Sequence, residues 1–236
     1  MKKFVILLFA AIALVVSVNI INTANTISYK DVAADPSARV VILDAGHGGE
    51  DGGAVASDGT VEKELNLQIT DDIAVFFDLF GITYIPTRTS DVSVCDEGLN
   101  TIRKRKYSDI MNRAALMESV PNSILLSIHQ NIYSDERYSG TQVFYTANVD
   151  DSKVLAQAIQ NSVVKKLQPD NKRCIKTAGS EIYLLHKAKN TAVLVECGFL
   201  SNKNELALLK DKAYQSKISY RIFRGMFDFL SEEKDV

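Results

Sequence analysis

The stretch Val40-Val41-Ile42-Leu43-Asp44-Ala45-Gly46-His47-Gly48-Gly49 decides the architecture. An uninterrupted apolar run, Val40 to Leu43, breaks at Asp44 and opens into glycines. That pattern reads as a buried strand delivering a loop. It recurs twice. Ser123 to Ile128 leads to His129, and Ala192 to Val195 leads to Glu196. Further strands are expected over 82–87, 141–146 and 182–185. Between them, apolar residues return at helical spacing over 62–80 (Leu65, Ile69, Ile73, Phe76, Phe77, Phe80), with Gly81 as the stop. Helices are also expected over 103–119, 154–167, 202–209 and 213–230, and a polar loop over 88–102. Strands alternating with helices predict a single α/β domain with a central, mostly parallel sheet flanked by helices. In such sheets, sites sit at the carboxyl ends of strands. His47, His129 and Glu196 fall at or just beyond such ends.

Composition narrows the function classes. The chain has 236 residues, 46% hydrophobic and 24% charged, which is ordinary for a folded domain and excludes a disordered or fibrous chain. Lys and Arg number 27 against 29 Asp and Glu, a net charge of −2, so no basic field points to nucleic acid. Three scattered cysteines (Cys95, Cys174, Cys197) exclude a disulfide scaffold and a Cys-rich metal module. The absence of Trp weighs against a sugar-stacking lectin.

Lys2 and Lys3 precede an apolar run from Phe4 to Val18 that continues through Ile20 and Ile21. This reads as a signal peptide or an N-terminal membrane anchor over 1–24. No Cys follows it, so it is not a lipoprotein signal. Residues 25–38 read as a polar linker. The orientation that follows is extracytoplasmic, secreted or anchored by the N-terminal segment.

Two of the three histidines lie just past apolar strands, and His47 sits among glycines that allow close approach to an ion. A catalytic zinc takes three protein ligands from His and carboxylate and keeps one position for water. His47 and His129 with a carboxylate satisfy that count. Glu62, at a helix start, is a good third candidate, whereas Glu64 would point elsewhere. The spacing is not a local metal motif, and two hydrogen-bonded strand-end histidines fit it as well. Glu196 follows a buried run, where a carboxylate is costly unless paired, solvated or functional. It is either an ion-pair partner or, beside a metal that activates water, the group that carries the proton to a leaving amine. Cys197 reads as a small buried packer.

The residues resemble a family. Val41-Ile42-Leu43-Asp44-Ala45-Gly46-His47-Gly48-Gly49 with Asp51, Gly53 and Ala54 is similar to the opening motif of the zinc-dependent N-acetylmuramoyl-L-alanine amidases (Amidase_3). Glu62-Lys63 resembles their Glu-Lys pair, and Ser127-Ile128-His129-Gln130-Asn131 their Ser-Ile-His-x-Asn motif. Leu194 to Asn202 resembles their Val-Glu-x-Gly-Phe-Leu-Ser-Asn motif. All four occur in order across about 40–230. The resemblance implies Zn2+ held by His47, Glu62 and His129, with Glu196 as catalytic base. It also implies an amidase catalytic domain over 39–232, of the zinc amidase/exopeptidase type with a mixed sheet. The implied reaction is hydrolysis of the amide between the lactyl group of muramic acid and L-alanine in peptidoglycan. Asn131 would orient substrate or brace the ligand, and Asp44 would orient His47 from behind.

Ala45 stands where the family commonly has Pro, which would stiffen the loop. No wall-binding module is evident, so targeting falls to the anchor, the catalytic domain or a protein activator or targeting partner. A bare catalytic domain behind one apolar segment most resembles the spore-cortex, CwlD-type amidases. These strip peptide on the way to muramic-δ-lactam, and a muramic acid deacetylase completes the step. Three alternatives share the pattern: a zinc peptidase or deacetylase, a non-catalytic peptidoglycan-binding protein of the same fold, and a partner-dependent enzyme of weak zinc affinity. Elsewhere, Arg103 to Lys106 reads as a solvated helix start and Arg113 as a packing or ion-pair residue. His186 reads as a structural or substrate-rim residue and not a ligand, and Tyr133, Tyr138 and Tyr145 as packing or groove residues.

Overall fold

Continuous burial on both faces makes Val41–Ala45 and Ile124–Asn131 the centre of the sheet. Every residue of the first strand is buried, as are the first five of the second, as expected of mainly apolar strands covered on both sides. The computed structural model describes residues 39–232. The segments read as signal or anchor (1–24) and linker (25–38) lie outside the described residues. The strands are β1 (Val41–Ala45), β2 (Tyr84–Pro86), β3 (Ile124–Asn131), β4 (Gln142–Tyr145), β5 (Lys176–Thr177) and β6 (Thr191–Phe199). They form one six-stranded sheet in the order β2-β1-β3-β6-β4-β5. All neighbouring pairs are parallel except β4 with β6. β2 ends on Pro86 at the sheet edge, where a missing N–H is tolerated.

The helices are α1 (Glu62–Phe80), α2 (Ile102–Ser119), α3 (Asp151–Lys166), α4 (Tyr183–Lys187), α5 (Lys203–Lys210) and α6 (Lys212–Glu232). α1 spans the residues its periodicity predicts. Leu65, Ile69, Ile73 and Phe77 form its buried stripe. Gly81, at φ 66°, ends it by returning its N–H to the Asp78 carbonyl, while Ile82 N–H returns to Phe77 O. One core joins Ile69 and Phe77 of α1, Leu155 and Ile159 of α3, and Phe223 and Met226 of α6 to Val41, Leu43, Leu126 and Val193 of the sheet.

α3 and α6 meet backbone to backbone at Gly225. A Cβ there would stand 2.5 Å from Ile159 Cα. Helix propensity alone favours Ala over Gly by about 1 kcal/mol. The forced separation of two packed helices outweighs it, at about 1–3 kcal/mol. Gly225→Ala should therefore lower the denaturation midpoint rather than raise it, as urea titration will measure.

Four elements depart from the sequence-based expectation. Residues 182–185 are not a strand. His186 N–H bonds Ile182 O, and Tyr183–Lys187 is the short helix α4 with only Leu185 buried. A stretch with one inward residue cannot serve as a two-sided central strand. The two-residue edge strand β5 is too short for periodicity to reveal. β3 and β6 continue past His129 and Glu196 to Asn131 and Phe199, so both polar residues lie within strands. Among the described residues, no helix is long and apolar enough to cross a membrane.

The connection from β1 leads outward to β2, and the next leads back past β1 to β3. The direction of winding thus reverses between β1 and β3. A crevice opens at the carboxyl ends of strands at such a switch point, and His47 and His129 are delivered there.

Candidate metal centre

His47, Glu62 and His129 converge from the loop after β1, the first turn of α1 and the end of β3. One potential ligand atom from each lies within 4.8 Å of the others. Glu62 Oε1 is 3.0 Å from His129 Nδ1 and 3.3 Å from His47 Nε2. Two ligands about 2.1 Å from a tetrahedral ion stand about 3.4 Å apart, so the donor set fits a divalent cation in both type and spacing. Glycines let the rings come this close. A Cβ on Gly46 would lie 2.3 Å from the His129 ring, and one on Gly53 would lie 2.5 Å from Glu62 Oε2.

The carboxylate of Glu62 is fixed from behind. Oε2 accepts from Ala54 N–H (2.8 Å), while Oε1 accepts from Gln130 N–H (3.1 Å) and Asn66 Nδ2 (3.2 Å). The outer nitrogen of His47, Nδ1, bonds Asp51 Oδ2 at 2.8 Å, leaving Nε2 to face inward. A carboxylate behind a ligating imidazole sets its tautomer and raises its basicity. Asp51 occupies the position expected of Asp44, which makes no contact with the His47 ring. Asp44 instead accepts from Ser127 Oγ (2.5 Å) and Thr87 Oγ1 (2.8 Å) and pairs with Arg113. Its influence on His47 passes through Arg113, whose Nη2 donates to the His47 carbonyl at 2.8 Å.

Two buried guanidiniums hold the loop that carries His47. Arg113 Nη1 and Arg88 Nε both donate to Ala45 O, at 3.0 and 2.9 Å. Arg88 Nη2 also reaches Gly46 O (3.1 Å) and Lys63 O (2.8 Å). The rigidity that a proline at position 45 would supply thus comes from three consecutive tethered carbonyls. His47 itself sits at φ 62°, a conformation a non-glycine residue keeps only when its surroundings impose it. Lys63 Nζ bridges Gly49 O (2.7 Å) and Asp91 (2.6 Å), which gives the lysine of the Glu-Lys pair a structural task. The basic start of α2 is not simply solvated: Arg105 pairs with Glu50, and Lys106 pairs with Asp51 at 2.7 Å.

Glu196 lies on β6 directly beside His129 in register. Its Oε2 is sealed from solvent and has no hydrogen-bond partner among the described residues. Burial pushes its pKa up to about 7, against the pull of His129 and with the help of Glu62. Among the described residues it forms no ion pair with a cation. Asn131 gives its backbone carbonyl to Leu200 N–H at 2.7 Å, tying the end of β3 to the turn after β6. Cys197 is fully buried, and burial pushes the pKa of its thiol well up, which suits a packing residue. Asn202 caps α5 by accepting from Asn204 and Glu205 N–H, and Ser201 Oγ accepts from Tyr133 N–H. The last two residues of the fourth motif are therefore structural. His186 is exposed on α4, outside the cluster.

The site polarises strongly. Burial disfavours a charged His47, but hydrogen bonds to Asp51 and Glu62 prevail and raise its pKa to about 9. Burial would raise Glu62, yet the two histidines hold it far below the usual carboxylate range. Burial likewise opposes ionisation of Asp51, and its bonds to His47 and Lys106 hold it well below normal.

The geometry agrees with what is known of other proteins. Residues 41–228 match the family model described as N-acetylmuramoyl-L-alanine amidase. The germination-specific N-acetylmuramoyl-L-alanine amidase of Bacillus subtilis is 31% identical over 212 residues, covering 90% of this chain and 88% of its own. The CwlD amidase of Clostridioides difficile, solved in complex with the GerS lipoprotein, superposes with a TM-score of 0.77 at 38% identity. That match covers 81% of this chain and 98% of CwlD. An N-acetylmuramoyl-L-alanine amidase from Clostridium difficile 630 gives 0.69 at 27% identity, over 84% and 98%. With four ordered motifs on one crevice and a family match over most of its length, the chain belongs to the N-acetylmuramoyl-L-alanine amidase family.

Proposed function

We propose that the chain is a zinc-dependent hydrolase that severs L-alanine from the muramic acid lactyl group of peptidoglycan, with His47, Glu62 and His129 as ligands and Glu196 as base. One observation carries this: two imidazoles and a carboxylate with their donor atoms within 4.8 Å, beside a sealed, unpartnered Glu196. Zinc held there supplies Lewis-acid polarisation of the amide carbonyl and a water acidic enough to attack it. Asp51 keeps His47 Nε2 directed inward, and Asn66 and Gln130 keep Glu62 Oε1 facing both rings. Glu196, poised near neutrality, takes the proton of the attacking water and delivers it to the L-alanine nitrogen as the amide breaks. A non-catalytic wall-binding protein has no use for such a carboxyl. Chelated chain should release no peptide from purified peptidoglycan, and one equivalent of zinc should restore release; undiminished activity after chelation would remove the metal from the account.

Zinc uptake should depend on pH. In the metal-free protein the raised pKa of His47 means that its charge stabilises the fold fully below about 6.5, and this contribution is lost as pH rises through about 9. A ligating imidazole must be neutral. Apparent zinc affinity should therefore climb by roughly tenfold per pH unit between about 7 and 9 as the metal displaces that proton, measurable by competition with a chromophoric chelator.

The work site proposed is outside the cytoplasm, with 1–24 as signal or anchor, 25–38 as linker and 39–232 as the catalytic domain. The germination-specific and CwlD relatives support a role in spore-cortex maturation; a muramic acid deacetylase acting downstream is part of this proposal. The GerS complex of CwlD supports a lipoprotein as activator or targeting partner here too. Spores lacking this chain should have cortex without muramic-δ-lactam; normal lactam content would assign it to another wall.

A further inference from the structure

A second charged feature borders the site, and the proposed mechanism leaves it unused. Gln142 of β4 is the antiparallel partner of Glu196, so the two side chains leave the sheet on the same face. Gln142 clamps the segment before β5 from both ends of its amide. Its Oε1 accepts from Arg173 Nη2, and its Nε2 donates to Cys174 O at 2.8 Å. The Arg173 guanidinium also lies over the Phe199 ring, 4.9 Å from its centroid. It is thus held in place by stacking and by a hydrogen bond, and its charge reaches Glu196.

Its donors are not used up. Arg173 is only half-buried; among the described residues Nη2 bonds Gln142 Oε1 and Nε, sealed from solvent, has no partner, so a ligand in the groove meets the guanidinium at its Nη edge. Arg173 lines a groove of about 570 Å3 with Lys172, Arg137, Tyr138 and Asp170. Arg137 is neutralised there by Asp135 at 2.7 Å, and Asp170 offsets one of Lys172 and Arg173, so the groove keeps one surplus positive charge. A fixed guanidinium with free donors is suited to a carboxylate, which it takes in a planar, bidentate fork.

We propose that Arg173 is a specificity-determining residue that binds a carboxylate on the peptide arm of the substrate, next to the scissile amide. This deepens the amidase function proposed above and rests on it. The glycan of peptidoglycan is rich in hydroxyls and acetamides, and the peptide arm carries the free carboxylates. The cationic groove therefore receives the acidic peptide, and the glycan lies on the far side of Glu196. The enzyme selects muropeptides whose residue after L-alanine keeps its α-carboxylate free over those in which it is a carboxamide.

The test uses the zinc-loaded full chain and two soluble muropeptides differing only in that carboxylate or carboxamide. Wild type should favour the acid by about tenfold or more in kcat/KM, mostly through KM, consistent with a charge-assisted bond of about 1.5–3 kcal/mol. Arg173→Gln should bring the acid-to-amide ratio near one, and Arg173→Lys should restore part of it. The ratio separates this contact from any effect of Arg173 on Glu196 or on folding, which would slow both substrates alike. A wild-type ratio near one, or a ratio unchanged in Arg173→Gln, overturns the inference and leaves the amidase function standing. Failure of the zinc-loaded wild type to hydrolyse any peptidoglycan removes both.

Discussion

Glu196→Gln should lower peptide release from peptidoglycan by roughly 10³-fold, within the range a positioned general base contributes. The substitution keeps volume and shape and removes only the titrating oxygen. Zinc stoichiometry should stay at that of wild type, because Glu196 is not among the three convergent ligands. Stability should hold or rise. The wild-type carboxyl has a buried oxygen with no partner and a pKa near 7, so its ionised form is a burden on the fold that Gln does not carry. A bound cation lowers the pKa of a nearby carboxyl. The rising limb of the wild-type pH–rate profile should therefore lie at or below about 7 and vanish in the variant. A Gln variant that hydrolyses within tenfold of wild type would show that another group moves the proton.

Arg113→Met should be the most damaging single change to stability, at about 3–5 kcal/mol. That is the usual cost of removing one partner of a buried ion pair and leaving the other behind. Arg113 is 4% exposed and lies between Asp44 and Asp109, themselves buried. By comparison, the Arg105–Glu50 pair is largely open to solvent, where such pairs contribute at most about 1 kcal/mol. Loss of Arg113 also frees the His47 carbonyl and leaves that of Ala45 to Arg88 alone, so zinc affinity should fall with stability. The double variant with Asp44→Asn should be less destabilised than the two single effects added together. Burial opposes ionisation of Asp44, but Arg113 and the hydroxyls of Ser127 and Thr87 hold its pKa below normal. Its contribution is therefore present above about pH 4 and lost on acidification below that. Arg113→Met should lose much of this acid sensitivity, which thermal unfolding between pH 3 and 7 will measure.

The parts legible from sequence are those where one physical demand dominates. Val41 to Leu43 and Ile124 to Leu126 had to be apolar throughout because helices cover both faces of the sheet. α1 had to repeat its apolar residues every three or four positions and stop at a residue tolerant of positive φ. His47, Glu62 and His129 were legible as candidates because three of the four ordered motifs carry them, and folding brings them together despite their separation along the chain.

What the sequence hid are the supports. Arg88 sits in what reads as a polar loop, and nothing local shows that it is buried on four carbonyls. Asp44 precedes the His47 loop and Asp51 follows it. Choosing between them as the ring's partner needs the turn through Gly48 and Gly49, with His47 itself at positive φ. Residues 182–185 misled because a short apolar run fits a strand and a helical turn equally well. Burial of Leu185 alone decides it, and that depends on packing rather than local preference.

The central claim is which bond is cut. The measurement is mass spectrometry of the ends that the zinc-loaded chain generates in purified peptidoglycan, with Glu196→Gln in parallel. The account predicts peptides with a free L-alanine amino terminus, glycan whose lactyl carboxylate is bare and whose acetamides are intact, and neither product from the variant. New ends within the peptide, within the glycan or at the acetyl groups would contradict it.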